Sequence, residues 1–192
     1  MQTTSPGYPN SLNIFSPFTT SNNIIYTAKI KADVGNRLYL LLKASSVQVT
    51  AGSELPSGNA MGIRLNFIGN ALDLYDNEVQ LATTSFIYTD AVWYDVEWII
   101  ANDYSMQVRV WQDGTAKPST ATLTESAFTP VASGAYARLS SMPSSYDRVN
   151  YWNNFRIRNY SAPDPSIASI GVESATSGGA KHGWWWGFGL HW

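Results

Sequence analysis

The stretch WYDVEWIIANDYSMQVRVWQDG, residues 93–114, reads as two β-strands joined by a polar turn and closed by an Asp-Gly turn. Side chains alternate along a strand, so each half divides into two faces. In the first half, Tyr94, Val96, Trp98 and Ile100 form an apolar set, which leaves Trp93, Asp95 and Glu97 on the opposite side. In the second, Met106, Val108 and Val110 point inward, and Gln107, Arg109 and Trp111 point outward. A core accounts for one face. Aromatic side chains on the other need a second explanation, and recognition at a surface supplies it.

Similar segments fill the chain on either side. Residues 24–31, 37–42, 61–68, 71–75, 79–84, 135–140 and 149–159 are rich in β-branched and aromatic residues, and a short strand is expected at 47–49. Turn signals such as Gly35-Asn36 and Gly69-Asn70 separate them. No segment of useful length has helical period, so many short strands imply a sandwich or a barrel. Short connections predict that 61–68, 71–75, 79–84, 92–100 and 105–111 form one antiparallel meander. Residues 1–23 read as a lead-in loop, 24–166 as the domain body and 167–180 as a linker. Residues 181–192 stand apart as a Trp/Gly-rich tail.

Composition narrows the function. The 192 residues suffice for one domain with a sizeable core. A formal net charge of −2 makes nucleic acid and anionic membrane poor partners. Without Cys there are no disulfides, thiol nucleophiles or Cys-ligated zinc. With 14% charged residues and a surface rich in Ser, Thr, Asn and Tyr, the chain suits an extracellular or cell-surface setting. No apolar run reaches the ~20 residues of a membrane span. The first residues lack the basic start and apolar core of a signal peptide, so secretion would imply a mature form or a domain cut from something larger. His182 and His191 both lie in the tail, which leaves the body no His for a nucleophilic triad or a zinc site. The acid/base candidates are Asp95 and Glu97, about 6.5–7 Å apart between Cα atoms on one strand face. That spacing would serve a glycoside hydrolase, the minor alternative.

Three motifs together carry a resemblance: the strand WYDVEWII, the following strand ending in WQDG, and the late strand VNYWNNFRIRNYSAPDPS. The pattern resembles the concanavalin A-like lectin/glucanase superfamily, particularly the laminin-G-like jelly rolls. The ending is similar to that of DUF2341-type surface-protein domains. The resemblance covers roughly residues 24–166 and implies an all-β, two-sheet antiparallel jelly-roll sandwich with a habit of binding glycans. Asn153-Asn154 stands where the family often has Asp-Asn, and the E-x-D-x-x-E strand motif of the glucanase members is absent. The resemblance also admits calcium held in loops by oxygen ligands. The scattered acids Asp73, Asp76, Asp90, Asp103, Asp113 and Asp147 form no dense array, and the sequence assigns the ion no site.

Alternation on the late strand sends Val149, Tyr151, Phe155 and Ile157 inward and Asn150, Trp152, Asn154 and Arg156 outward; Tyr75 is likewise expected outward. The outer face then gathers Trp93, Trp111 and Trp152 among Glu97, Arg109 and Asn154. Flat rings stack on the apolar face of a sugar while amides, carboxylates and guanidinium groups take its hydroxyls. These six residues form the expected platform of a non-catalytic carbohydrate-binding or adhesive domain whose partner is a glycan or cell-surface polysaccharide. The alternative is a structural subunit of an extracellular filament or coat. There the tail, KHGWWWGFGLHW, would matter most. It reads either as an appended, non-native peptide or as an interaction strand. In the second case Trp184, Trp186, Phe188 and Leu190 share one side and make the subunit contact of a homo-oligomer. Asn159-Tyr160-Ser161 is the one glycosylation sequon.

Overall fold

The computed structural model describes residues 2–3, 10–15, 23–33, 35–44, 60–132, 134, 136–143 and 150–160. In chain order the strands are β1 (Gln2–Thr3), β2 (Asn10–Phe15), β3 (Ile24–Ala32), β4 (Asn36–Ala44), β5 (Met61–Asn66) and β6 (Ala71–Asp76). They continue as β7 (Val79–Ser85), β8 (Trp93–Ile100), β9 (Met106–Gln112), β10 (Leu123–Glu125), β11 (Tyr136–Pro143) and β12 (Asn150–Asn159). One six-stranded sheet runs β1-β12-β3-β8-β9-β10 and the other β2-β11-β4-β5-β6-β7, every pairing antiparallel. No helix occurs among the described residues. This is an all-β jelly-roll sandwich, one of the two architectures the strand pattern allowed and the one the family resemblance implied.

Period-two alternation supplies the core. Ile24, Tyr26, Ala28, Ile30 and Ala32 of β3 face Leu38, Leu40 and Leu42 of β4 across the sandwich, and Tyr94, Val96, Trp98 and Ile100 of β8 join them. Burying large apolar side chains from both sheets is what holds the layers together. Aromatic and polar contacts fix the relative setting of the layers. Tyr26 stacks on Trp98 with ring centroids 6.0 Å apart, and its hydroxyl donates to the Arg138 carbonyl of the opposite sheet at 3.3 Å. Asn36 Nδ2 donates to Asn150 Oδ1 at 2.8 Å, another tie between sheets.

Three expectations are corrected here. The lead-in segment contributes strands β1 and β2, one to each sheet, and β10 adds a further short strand. The meander is split: β5, β6 and β7 stay in one sheet, while β8 and β9 belong to the other. Between β7 and β8 the chain crosses sheets along a connection that is exposed at Ile87, Thr89, Asp90 and Ala91 but turns two rings inward. Phe86 and Tyr88 insert into the core, where Tyr88 stacks on Phe67 at 4.2 Å and packs edge-on to Tyr94 at 5.6 Å. The Asn70 carbonyl holds the Phe86 amide at 2.9 Å. The buried Tyr88 ring and the partly buried Phe86 ring outweigh the convenience of a direct hairpin.

The third correction concerns β12. Asn153 pairs with Lys29 and Arg156 with Thr27, so three steps on β12 match two on β3. This one-residue β-bulge leaves Asn154 at φ 48°, a left-handed conformation that Asn tolerates better than most residues. The bulge inverts the parity on its N-terminal side. Trp152, expected outward, is 5% exposed within the core, and Tyr151 takes the outer face instead. Phe155 and Ile157 still pack on the core as expected. The short strand expected at 47–49 and the tail residues Trp184, Trp186, Phe188 and Leu190 lie outside the described residues.

Candidate functional site

Strands β12, β3, β8 and β9 lie side by side, and registry places their outward residues in rows. Tyr151, Lys31 and Trp93 form one row; Asn153, Lys29, Asp95 and Trp111 the next; Arg156, Thr27, Glu97 and Arg109 the third. The bulge lifts β12 out of regular pairing beside the second row. There the outer face opens into a pocket of about 270 Å³. Its walls are Thr27, Asp95, Trp111, Asn154 and Arg156, and its floor is Ala28 with Val96, whose side chains point to the core. Trp111 and Arg156 stand on opposite walls, three strand steps across and two residues along, or about 16 Å apart at the backbone.

The pocket combines one partly buried aromatic ring with an acceptor (Asp95), a two-way amide (Asn154), a hydroxyl (Thr27) and a fixed cation (Arg156). Burial raises the Asp95 carboxyl above the usual carboxylate range; nearby Lys29 opposes this, and Asp113 adds to it. Lys29 itself bonds Asp113 Oδ1 at 2.6 Å, which raises its ammonium pKa. Because β8 lies between β3 and β9, this ion pair crosses over β8 between Trp93 and Asp95. It lies next to Asp95, outside the pocket lining.

The expected platform residues divide into three groups. Trp111 and Asn154 come together in the pocket. Trp93 lies one row away, partly buried beside Tyr151 at 6.2 Å, with Lys31 Nζ 5.2 Å from its ring centroid and 4.4 Å from that of Tyr151. Glu97 and Arg109 share the outer face, but Glu97 is only 4% exposed. It accepts from Arg109 at 3.2 Å and from Lys117 at 2.7 Å, and Arg109 also reaches the Ser119 carbonyl at 3.5 Å. The loop after β9 thus covers these two residues, and they serve as its anchor. Trp152 belongs to the core. Tyr75, expected beside the tryptophans, lies in the other sheet under the Arg64 guanidinium, 4.9 Å from its ring centroid.

Thr27, Asp95 and Arg156 complete the pocket although the sequence singled out none of them as a platform residue. The consecutive asparagines 153–154 are the signal that could have found them, since Asn is at home in a bulge. Four of the acids considered for calcium have other work, and Asp147 lies outside the described residues. Asp73 takes Arg64 and Thr83, Asp76 accepts the Val131 and Ala132 amides, Asp103 closes a turn on Ser105, and Asp113 holds Lys29. Among the described residues no three His, Cys, Asp or Glu side chains converge. No helix among them is long and apolar enough to cross a membrane.

No protein-family model matches the sequence, and no curated protein does. Solved structures do match the fold. The carbohydrate-binding module CBM66 from Bacillus subtilis aligns at a TM-score of 0.53 and 12% identity, over 82% of this chain and 86% of that one. The Emp46p carbohydrate recognition domain aligns at 0.56 and 10%, over 82% and 81%. Lectin I-B4 from Griffonia simplicifolia aligns at 0.52 and 11%, over 78% and 77%. At these identities the likeness concerns the backbone alone. The chain carries the jelly-roll fold of lectins and carbohydrate-binding modules, in agreement with the concanavalin A-like resemblance of its strand motifs.

Proposed function

We propose that this is a non-catalytic carbohydrate-binding domain that acts outside the cell, with its site in the pocket between the β12 bulge and Trp111. The observation that carries this reading is the pocket itself: one stacking ring facing short polar side chains of mixed donor and acceptor character. Ligand pockets for drug-sized molecules run to roughly 300–1,000 Å³. A volume of about 270 Å³ suits one sugar unit of a longer chain. The fold neighbours named as lectins and carbohydrate-binding modules support the same class.

The absence of hydrolysis rests on the carboxylates. Glycoside hydrolysis takes two carboxyl groups flanking the bond. Asp95 reaches the pocket, whereas Glu97 is buried beneath Arg109 and Lys117 and held by both. A glycan array with the intact protein tests the proposal. Retention of at least one glycan family is expected, and Trp111→Ala should weaken it about two- to tenfold, the worth of one aromatic stacking contact. A bound glycan whose affinity is unmoved by both Trp111→Ala and Asn154→Ala would place the site elsewhere.

A further inference from the structure

The chain is slightly acidic as a whole, yet half of its cations lie on or over one sheet face. Of its 12 Lys and Arg, six sit on the outer side of the first sheet or on the loop that covers it: Lys29, Lys31, Arg109, Lys117, Arg156 and Arg158. On β8 and the turn after β9 three acids accompany them, and two are already committed. Asp113 holds Lys29, and Glu97 holds Arg109 and Lys117. Asp95 is the third, and its nearest cation, Lys29, bonds Asp113 instead. Lys31 lies over the rings of Trp93 and Tyr151 without an acidic partner among the described residues. Arg156 is exposed at the pocket wall and likewise makes no ion pair among them.

We propose that the bound glycan is an anionic polysaccharide, whose carboxylate or sulfate groups are read by Arg156 at the pocket and by Lys31 beside Trp93. This deepens the carbohydrate-binding reading and rests on it. Along β3 the two cations are registered with Thr27 and Lys31, four residues or about 13 Å apart. A ligand touching both therefore spans several sugar units and passes the Lys29–Asp113 pair between them. An Arg fork binds a planar carboxylate or a sulfate edge through paired N–H donors, while Trp111 stacks on the ring and Asn154 takes a hydroxyl. The two committed acids are neutralised in place, so they do not repel such a ligand. Asp95 lies toward the stacking wall, where it can accept from hydroxyls.

The test uses matched polymers: polygalacturonate against its carboxyl-reduced form, and dextran sulfate against dextran. At least one anionic member is expected to bind about tenfold more tightly than its neutral partner, and the preference should shrink as salt rises. Arg156→Gln should lower anionic binding severalfold toward the neutral level, the remainder being held by Lys31, and Arg156→Lys should recover part of the loss. Arg156 is exposed and outside the core, so neither variant threatens folding. Equal binding of anionic and neutral partners would overturn the proposal while leaving the carbohydrate-binding reading intact. Retention of no polymer here and of no glycan on an array would remove both. A single-stranded oligonucleotide held as tightly as the anionic polymers, and equally insensitive to Arg156→Gln, would overturn it in favour of general phosphate attraction.

Discussion

Replacing Trp152 with alanine separates packing from recognition on a strand that supplies both. Its indole is 5% exposed and belongs to the main apolar cluster. Its backbone pairs with Ile30 of β3. A Trp buries roughly 150–250 Å². At about 25 cal/mol per Å² this is worth ~4–6 kcal/mol, an upper bound because the unfolded chain is itself partly collapsed. Large-to-small changes in cores cost about 3–5 kcal/mol, and a domain of this size loses about 2–4 °C of melting temperature per kcal/mol. Trp152→Ala should therefore melt about 6–20 °C lower while keeping its glycan affinity, measured by affinity electrophoresis well below the transition. Trp111→Ala should show the opposite profile, with weakened binding and little change in melting. An unchanged melting temperature with lost binding in Trp152→Ala would refute the bulge-inverted register and return that indole to the outer face.

Two further outcomes follow from charged groups. Glu97→Gln keeps the shape of the buried anchor but removes the charge between Arg109 and Lys117. With Lys117 44% exposed, solvent screening trims the ~3–5 kcal/mol typical of a broken buried pair, and a loss of about 1–3 kcal/mol is expected in a urea melt. Asp95 carries the pH dependence. Its carboxyl is raised in the folded state, so between the ordinary value near pH 4 and the raised one the native form binds more protons than the unfolded chain, and stability falls as pH rises through that window. Asp95→Asn removes this dependence. Its melting temperature should gain on the wild type from about pH 3 toward pH 7, and a constant difference across that range would count against the burial of this carboxylate.

Much of this architecture is legible in residue alternation. The inward sets of β8 and β9, from Tyr94 to Ile100 and Met106 to Val110, occupy the core as the pattern dictates. What alternation cannot convey is a change of phase. On β12 the strict pattern placed Phe155 and Ile157 correctly but Trp152 on the wrong face, because one extra residue between them shifts the phase without altering composition. The crossing after β7 is hidden for a related reason: FIYTDAV has the polar punctuation of a loop, and only the packing of Phe86 and Tyr88 on Phe67 and Tyr94 reveals which of its rings turn inward. Strands β1, β2 and β10 are short or polar, and gain their identity from neighbours. As for the site, Trp111 and Asn154 stood out by type and parity. Glu97 and Arg109 looked equally suitable until the covering loop, which no local pattern announces, was seen to occupy them.

The bulge at Asn154 has a consequence for insertions and deletions. Without Asn154, Asn153 opposite Lys29 would be followed by Phe155 opposite Ala28 and Arg156 opposite Thr27, a regular ladder in which Trp152, Phe155 and Ile157 all keep their inward places. A single codon therefore separates this sheet from a smooth-faced sibling with the same core. Loss or gain of that codon in a lineage would switch the pocket off or on while stability selection scarcely registered the difference. Alignments scored on apolar residues alone would slide past it.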